Sequence, residues 1–360
     1  MLSGSLGSPP TMFDVSKLLR ENRWTTFMLF FLLCLYGVLF FAGHFSSKDH
    51  RPLPTGEERA FTASELKQKE ETARNNLAAR PGLAAALSAF FLFFLGAGIG
   101  LDFYFLMRTF RGHSWKPSVS ERAVPRWGMK DVMQALVFLF FVEGAIFIVQ
   151  TFWYWATGLE KTQHDLVLLG NSLLRDLCVA AFVFLLVRLR GQSLRDLGFR
   201  GERFWKNVKT GVIGYVAVVP PMLLGFVILA ALMQLFSYEP MPQEVVQIYL
   251  KKSTGPYLFI FTMFVAILGP VLEELFFRGF AYPAVKRKIG PVRAMALTAA
   301  VFAGFHMSLA AFAPIFFLGF FLTYLYETTG SLVPSITAHV LHNTLMVFLT
   351  LGFRSLAGAG

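Results

Sequence analysis

The stretch Gly269-Pro-Val-Leu-Glu-Glu-Leu-Phe-Phe-Arg-Gly279 places two adjacent carboxylates directly after a long apolar run, residues 257–272. A charged side chain at the centre of a bilayer costs about 2.5–3.5 kcal/mol on insertion scales, so two of them need a partner. Arg278 stands four residues after Glu274, in the order that favours attraction between an acid and a base on one helix face. Glu273 then points about 100° away and is free to face a cavity. The alternative is a buried salt bridge at a helix end, with Glu273 reaching back to water.

The composition of the whole chain is that of a membrane protein. Of its 360 residues, 55% are hydrophobic and only 15% are charged, whereas soluble domains carry about 25% charged residues. The apolar runs are too long and too uninterrupted for the strands of a β-barrel. The net charge of +11 requires no nucleic acid partner, because the cytoplasmic loops of membrane proteins collect Lys and Arg. We therefore predict an all-α, polytopic integral membrane bundle in a lipid bilayer, which is the inner membrane if the cell is prokaryotic.

The apolar runs indicate about eight or nine membrane segments in two units. Residues 1–190 are predicted to hold N-terminal membrane helices, starting with a retained signal-anchor helix at 25–41 and including a polar loop at 45–81. Residues 191–360 are predicted to form the second unit. Its last three helical segments are expected at residues 294–313, 314–326 and 332–351. Basic stretches are expected to share the cytoplasmic side with the N-terminus. They cover residues 107–131, 188–209 and 286–293.

Further polar residues interrupt these last apolar segments. His306 follows Phe302 by one helical turn, and His339 and Asn343 share another helix face. A single histidine in a membrane helix is usually a hydrogen-bonded structural residue, and an interhelical polar pair contributes only about 0.6 kcal/mol on average. Together with the glutamates, however, these residues are the inventory of a hydrolytic site. A glutamate can act as general base on a water molecule, while imidazole and amide donors stabilise an oxyanion.

Three motifs in this order resemble those of the CAAX-protease and bacteriocin-processing (CPBP, also called Abi) family of intramembrane proteases, which includes the type II CAAX prenyl endopeptidases. They are Glu273-Glu274-x-x-x-Arg278, Phe302-x-x-x-His306 and His339-x-x-x-Asn343. The resemblance covers about residues 195–351 and leaves residues 1–190 as added membrane spans. It implies that Glu273 activates the attacking water, and that Glu274 and Arg278 orient it or brace the helix.

The resemblance also implies roles for the residues that follow the glutamates. His306 is expected to take part in the chemistry, while His339 and Asn343 hold the oxyanion. Use of a metal by the family has been argued both ways, and Glu273, His306 and His339 could bind zinc. Because the sequence contains no H-E-x-x-H motif, it gives no independent support for zinc. We expect a glutamate and histidine site without a tightly held metal.

Other intramembrane chemistries fit the sequence less well. A rhomboid-type serine protease needs a Gly-x-Ser-Gly context, and a presenilin-like protease needs Gly-x-Gly-Asp, whereas Asp102 follows an inserted leucine. Neither Asp102 nor Glu143 belongs to a motif. Glu143 is expected to form a hydrogen bond across helices or to line a substrate route.

The sequence thus predicts an intramembrane endopeptidase that acts on a membrane-associated protein or peptide. A non-proteolytic membrane scaffold or immunity protein of the same fold is the main alternative. A proton- or ion-coupled transporter is the third, although no internal symmetry of the kind typical of transporters is apparent.

Overall fold

A computed structural model describes residues 62–111, 125–157, 164–238, 243–250 and 255–358. The predicted span at 25–41 and most of the basic stretch at 107–131 lie outside the described residues. The described residues form helices and no strands. The helices are α1 (Ala63–Ala78), α2 (Pro81–Phe110), α3 (Met129–Thr157), α4 (His164–Leu189), α5 (Phe204–Leu235), α6 (Glu244–Leu250), α7 (Pro256–Ile289), α8 (Pro291–Phe305), α9 (Leu309–Thr329) and α10 (Leu332–Leu356).

Within the described part of the chain, six helices are long and apolar enough to cross a membrane, namely α2, α3, α5, α7, α9 and α10. The shorter α8 is also apolar. These helices confirm the prediction of a polytopic, all-helical integral membrane protein. Helix α4 carries the charged neighbours Arg175 and Asp176 and is not among the six. The total of eight or nine segments stays a prediction.

Helix α7 carries the two glutamates at its centre rather than at its end. The apolar run at 257–272 suggests a span that finishes near Leu272, but the helix continues to Ile289. It contains two π-helical segments, Phe264–Leu268 and Leu275–Ala281, on either side of the α-helical turn Gly269–Glu274. π-Helical turns are rare and are frequently found at functional sites. The glutamates therefore lie deep in the helix, between two local changes of hydrogen-bond register.

The boundary between α8 and α9 differs from the predicted one. A break was expected at Pro314, but Pro314 lies inside α9 and the break falls at 306–308. Met307 has a positive φ of 49°, and the Ser308 hydroxyl accepts a hydrogen bond from the Ala311 amide as the N-cap of α9. Membrane helices tolerate an internal proline, because neighbouring groups compensate the freed backbone carbonyl. With 15 residues, α8 is about 22 Å long and ends short of a core of about 30 Å.

One hydrophobic cluster joins the N-terminal helices to the helix with the glutamates. Trp127, just before α3, is fully buried against Phe280 of α7, and Val183 of α4 belongs to the same cluster. The Trp127 indole also donates a hydrogen bond of 2.9 Å to the Phe280 carbonyl. Helices α3 and α4 thus pack directly on α7, although the predicted division between residues 1–190 and 191–360 stays a prediction.

The connection from α4 to α5 is fixed against the ends of α9 and α10. The Leu197 carbonyl accepts a hydrogen bond from the Tyr326 hydroxyl, and the Gly198 carbonyl accepts one from the Leu332 amide. Gly198 has a φ of 107°, and a Cβ there would meet the Tyr326 ring at 2.7 Å. Only glycine fits this position without strain.

Candidate active site

The centre of the candidate site is the fully buried carboxylate of Glu274 on α7. Its Oε1 atom accepts a hydrogen bond of 2.7 Å from Arg278 Nη1, one helical turn later. The same oxygen lies 2.9 Å from Nδ1 of His339 on α10. The ion pair that the sequence spacing indicates is therefore present on α7. Glu274 also links α7 to α10 through its contact with His339.

Arg278 is buried against a backbone carbonyl and an aromatic ring in addition to Glu274. Its Nη2 atom donates a hydrogen bond of 3.1 Å to the Gly319 carbonyl of α9. Its guanidinium carbon lies 4.5 Å from the centroid of the Phe302 ring of α8, a cation–π contact. A Cβ on Gly319 would come within 3.0 Å of that ring, so glycine allows α8 and α9 to approach closely here. Arg278 thus holds three helices around one charge pair.

The contact between His339 and Glu274 determines which nitrogen of His339 carries a proton. An ionised carboxylate only accepts hydrogen bonds, so Nδ1 is the donor and the neutral ring has a lone pair on Nε2. This Nε2 atom faces Glu273, with 3.6 Å between Nε2 and Oε2. That distance is too long for a direct hydrogen bond, and both atoms are acceptors in their ordinary states. The pair is suited to share a proton or a water molecule.

The two neighbouring glutamates lie in different environments. The side chain of Glu274 is 0% exposed and that of Glu273 is 34% exposed. Two carboxylates whose surroundings differ in this way commonly have different roles in catalysis. The geometry makes Glu274 the fixed, internal partner of Arg278 and His339, and Glu273 the accessible carboxylate.

His306 lies at the end of α8, where the helix breaks. Its Nδ1 atom is 2.9 Å from the Phe302 carbonyl, so Nδ1 carries the proton and Nε2 keeps its lone pair. The His306 and Phe302 rings meet edge to face at 4.9 Å, and the His339 ring lies 5.8 Å from Phe302 on another side. Phe302 is therefore the common wall between His306, His339 and Arg278, a role that the sequence pattern did not indicate.

Asn343 faces α7 from the same side of α10 as His339, but it is held by the backbone. Its Nδ2 atom donates a hydrogen bond of 2.9 Å to the carbonyl of Val265, inside the first π-helical segment. A side-chain amide has two N–H groups. One of them braces α7.

The candidate zinc ligands predicted from the sequence are Glu273, His306 and His339. Histidine nitrogens with lone pairs and a carboxylate are donor types that zinc accepts. Among the residues that the structure describes, however, no group of three or more His, Cys, Asp or Glu side chains has metal-binding spacing. The use of zinc by Glu273, His306 and His339 stays a prediction, and no chemical step below depends on it.

A second ion-pair cluster lies beside the glutamates and was not expected from the sequence. Arg175 of α4 donates hydrogen bonds of 2.9 Å to Glu143 of α3 and 2.8 Å to Asp176. Helix α4 packs against the turn Gly269–Glu274, and the charges of Asp176 and Glu273 interact. Glu143 thus has the cross-helix partner that was one of its two predicted roles. The pairing could not be found from spacing, because its members come from different helices.

Comparison with known proteins gave one finding. Residues 255–345 match the family model described as type II CAAX prenyl endopeptidase Rce1-like. Searches of curated proteins and of solved structures returned no significant match. The matched range includes all three motifs, and it ends just after Asn343. The resemblance is therefore confirmed: residues 255–345 of this chain are similar to the type II CAAX prenyl endopeptidases of the Rce1-like family.

Proposed function

We propose that this protein is an intramembrane endopeptidase that hydrolyses a peptide bond of a membrane-associated protein or peptide. The observation that carries the proposal is the arrangement of one histidine between two unlike carboxylates. Glu274 accepts a hydrogen bond from Nδ1 of His339, while Nε2 of that ring lies 3.6 Å from Oε2 of the accessible Glu273. The family match supports the peptidase class, because the matched family is described as a prenyl endopeptidase.

In the proposed reaction, Glu273 is the general base. A water molecule held between Glu273 and His339 gives a proton to the Glu273 carboxylate, and its oxygen attacks the carbonyl carbon of the scissile peptide. The carbonyl oxygen then bears the negative charge of the tetrahedral intermediate. When the intermediate collapses, the C–N bond breaks and the leaving nitrogen takes up the proton that Glu273 received from the water. The products are a new carboxyl terminus and a new amino terminus.

The proposed roles of the histidines follow from their protonation states. His306 Nε2 and His339 Nε2 both carry lone pairs, so each can take the water's proton over from Glu273 and pass it to the leaving nitrogen. The Glu274 carboxylate stabilises a protonated His339, in the same way that the aspartate of a serine-protease triad stabilises its histidine. His339 in that state and the second N–H group of Asn343 are the proposed oxyanion donors.

Two substitutions test the assignment. Glu273→Ala and His306→Ala should each lower the rate of substrate cleavage by about 100-fold or more, because a positioned acid or base contributes about 10²–10⁴-fold. Both variants should remain in the membrane at wild-type levels. Glu202→Ala is the matched control, since Glu202 is an exposed glutamate in the loop before α5. Normal cleavage by both variants would show that the assignment is wrong.

The substrate itself can be identified by comparing membrane proteomes from cells with wild-type protein and with Glu273→Gln. A peptidase predicts precursors with uncut termini, or uncleaved ectodomains, only in the variant. A scaffold or immunity protein predicts that Glu273→Gln behaves like the wild type and that only deletion has an effect. The same comparison therefore separates the two hypotheses.

A further inference from the structure

A buried tyrosine contacts a histidine that belongs to none of the three motifs. Tyr215 of α5 is 8% exposed, and its hydroxyl oxygen lies 3.4 Å from Nδ1 of His342 on α10. The two rings meet edge to face with their centroids 6.0 Å apart. Tyr215 lies outside the range matched by the family model. Helix α5 packs along α10, so the contact forms part of a helix interface.

The contact determines the tautomer of His342. A buried hydroxyl needs an acceptor for its proton, because an unpaired polar group in an apolar interior is costly. Among the described residues, His342 Nδ1 is the partner of the Tyr215 hydroxyl. The hydroxyl donates to Nδ1, and the ring proton of neutral His342 is then on Nε2. This is the opposite of His306 and His339, whose rings are protonated on Nδ1.

His342 lies at the edge of the candidate site. It stands three residues after His339, so the two side chains are neighbours on the surface of α10. His306, on a different helix, is near enough to His342 for the two rings to interact electrostatically. Its Nε2 atom makes no hydrogen bond with any of the described residues. This atom is also not fully buried. Nε2–H is therefore an accessible donor beside the site.

We propose that His342 is a further catalytic residue of this site, whose Nε2–H donates a hydrogen bond to the oxygen of the scissile carbonyl as it becomes an oxyanion. Tyr215 is the positioning residue that fixes the required tautomer. This inference rests on the proposed peptidase function. It adds a donor that is in place before any proton is transferred, because neutral His306 and His339 present lone pairs and Asn343 uses one of its two N–H groups to brace Val265. A donor already in place for the developing charge needs no rearrangement during the reaction.

Cleavage rates of four variants test the proposal. His342→Leu removes the donor and should lower the rate about 100-fold or more, the usual effect of losing one oxyanion donor. His342→Gln keeps a neutral N–H group and should lose less, about 10-fold. Tyr215→Phe should also lose about 10-fold, and adding it to His342→Gln should have no further effect, because Tyr215 acts through His342. Tyr238→Phe, an exposed position just after α5, is the matched control.

The tautomer is measured independently of activity. Ring ¹⁵N resonances of histidine-labelled protein in lipid bilayers distinguish protonated from unprotonated nitrogens, and His342→Gln assigns the His342 signals. We expect protonated Nε2 and unprotonated Nδ1 in the wild type, and a mixture of tautomers in Tyr215→Phe. A proton on Nδ1 of wild-type His342 overturns the proposal.

A full cleavage rate for His342→Leu, in a preparation where Glu273→Ala is inactive, also overturns this inference and leaves the proposed function intact. Activity of Glu273→Ala would instead refute the proposed function. The two failures are therefore distinguishable.

Discussion

The buried pair of Glu274 and Arg278 allows a quantitative prediction of stability. Their side chains are 0% and 1% exposed, and removal of one member leaves the other charge without its counterion. Breaking a buried ion pair in this way costs about 3–5 kcal/mol. Arg278→Met keeps much of the side-chain volume but removes the charge and the hydrogen bond to Gly319. We expect it to lower the free energy of unfolding by about 3–5 kcal/mol, a large part of the stability of a typical protein.

The double variant makes the reasoning specific to the pair. Glu274→Gln leaves Arg278 charged and buried, so it should cost a similar amount as Arg278→Met. The combination Glu274→Gln with Arg278→Met buries no charge, and replacing a buried ion pair by uncharged groups is often neutral. It should therefore be at least as stable as either single variant. Glutamine also keeps a carbonyl oxygen that can accept the proton of His339 Nδ1.

Equilibrium unfolding in mixed detergent micelles measures these differences for all three variants. The matched control is Arg195→Ala, which removes an exposed ion pair with Glu202 whose side chains are 70% and 57% exposed. Such exposed pairs contribute about 0.2–1 kcal/mol, so this control should be close to the wild type. The reasoning is refuted if Arg278→Met costs no more than the control. It is also refuted if the cost of the double variant equals the sum of the single costs.

The remaining predictions concern metal dependence and backbone packing. Incubation with a chelator, followed by its removal, should leave the cleavage rate unchanged, because the proposed steps use only side chains of this protein. A loss of activity that zinc restores would contradict this. Gly198→Ala should destabilise the protein by about 1–3 kcal/mol, because this position has a φ of 107° and a Cβ there would contact the Tyr326 ring. The control Gly201→Ala should unfold like the wild type, because a Cβ at Gly201 meets nothing within 4 Å. Trp127→Phe should lower the free energy of unfolding by about 1–3 kcal/mol, because it keeps the ring stack on Phe280 but leaves the buried Phe280 carbonyl without its hydrogen-bond donor. Equal stability of Trp127→Phe and the wild type would show that this hydrogen bond contributes nothing.

Local spacing was sufficient to predict the parts of the site that lie on one helix. Glu274 and Arg278 are one turn apart, as are His339 and Asn343, and such pairs share a face whatever the rest of the fold does. The apolar runs likewise predicted membrane helices, because a bilayer requires about 20 apolar residues for each span. The order of the three motifs then indicated a resemblance to the family, and the match over residues 255–345 supports that resemblance.

Features that depend on contacts between helices could not be predicted in this way. The spacing assigned Arg278 to Glu274 and left Glu273 free, but it could not show that the ion pair is fully buried, since that depends on the positions of α8, α9 and α10. Arg175 and Glu143 form a pair across α3 and α4, so no sequence interval connects them. The end of α8 at His306 was missed because Pro314 suggested a later break, although a proline inside a membrane helix need not end it.

The two π-helical segments explain why residues outside the family match belong to the architecture of the site. A π turn shifts the hydrogen-bond register by one residue, so a backbone carbonyl becomes available to an outside donor. In the first segment the Val265 carbonyl is bound by Asn343, and in the second the Phe280 carbonyl is bound by Trp127. One donor comes from a motif residue and the other from the segment before α3. Glu273 and Glu274 lie between these two fixed points, so the orientation of both carboxylates depends on the N-terminal part of the chain as well as on the motifs.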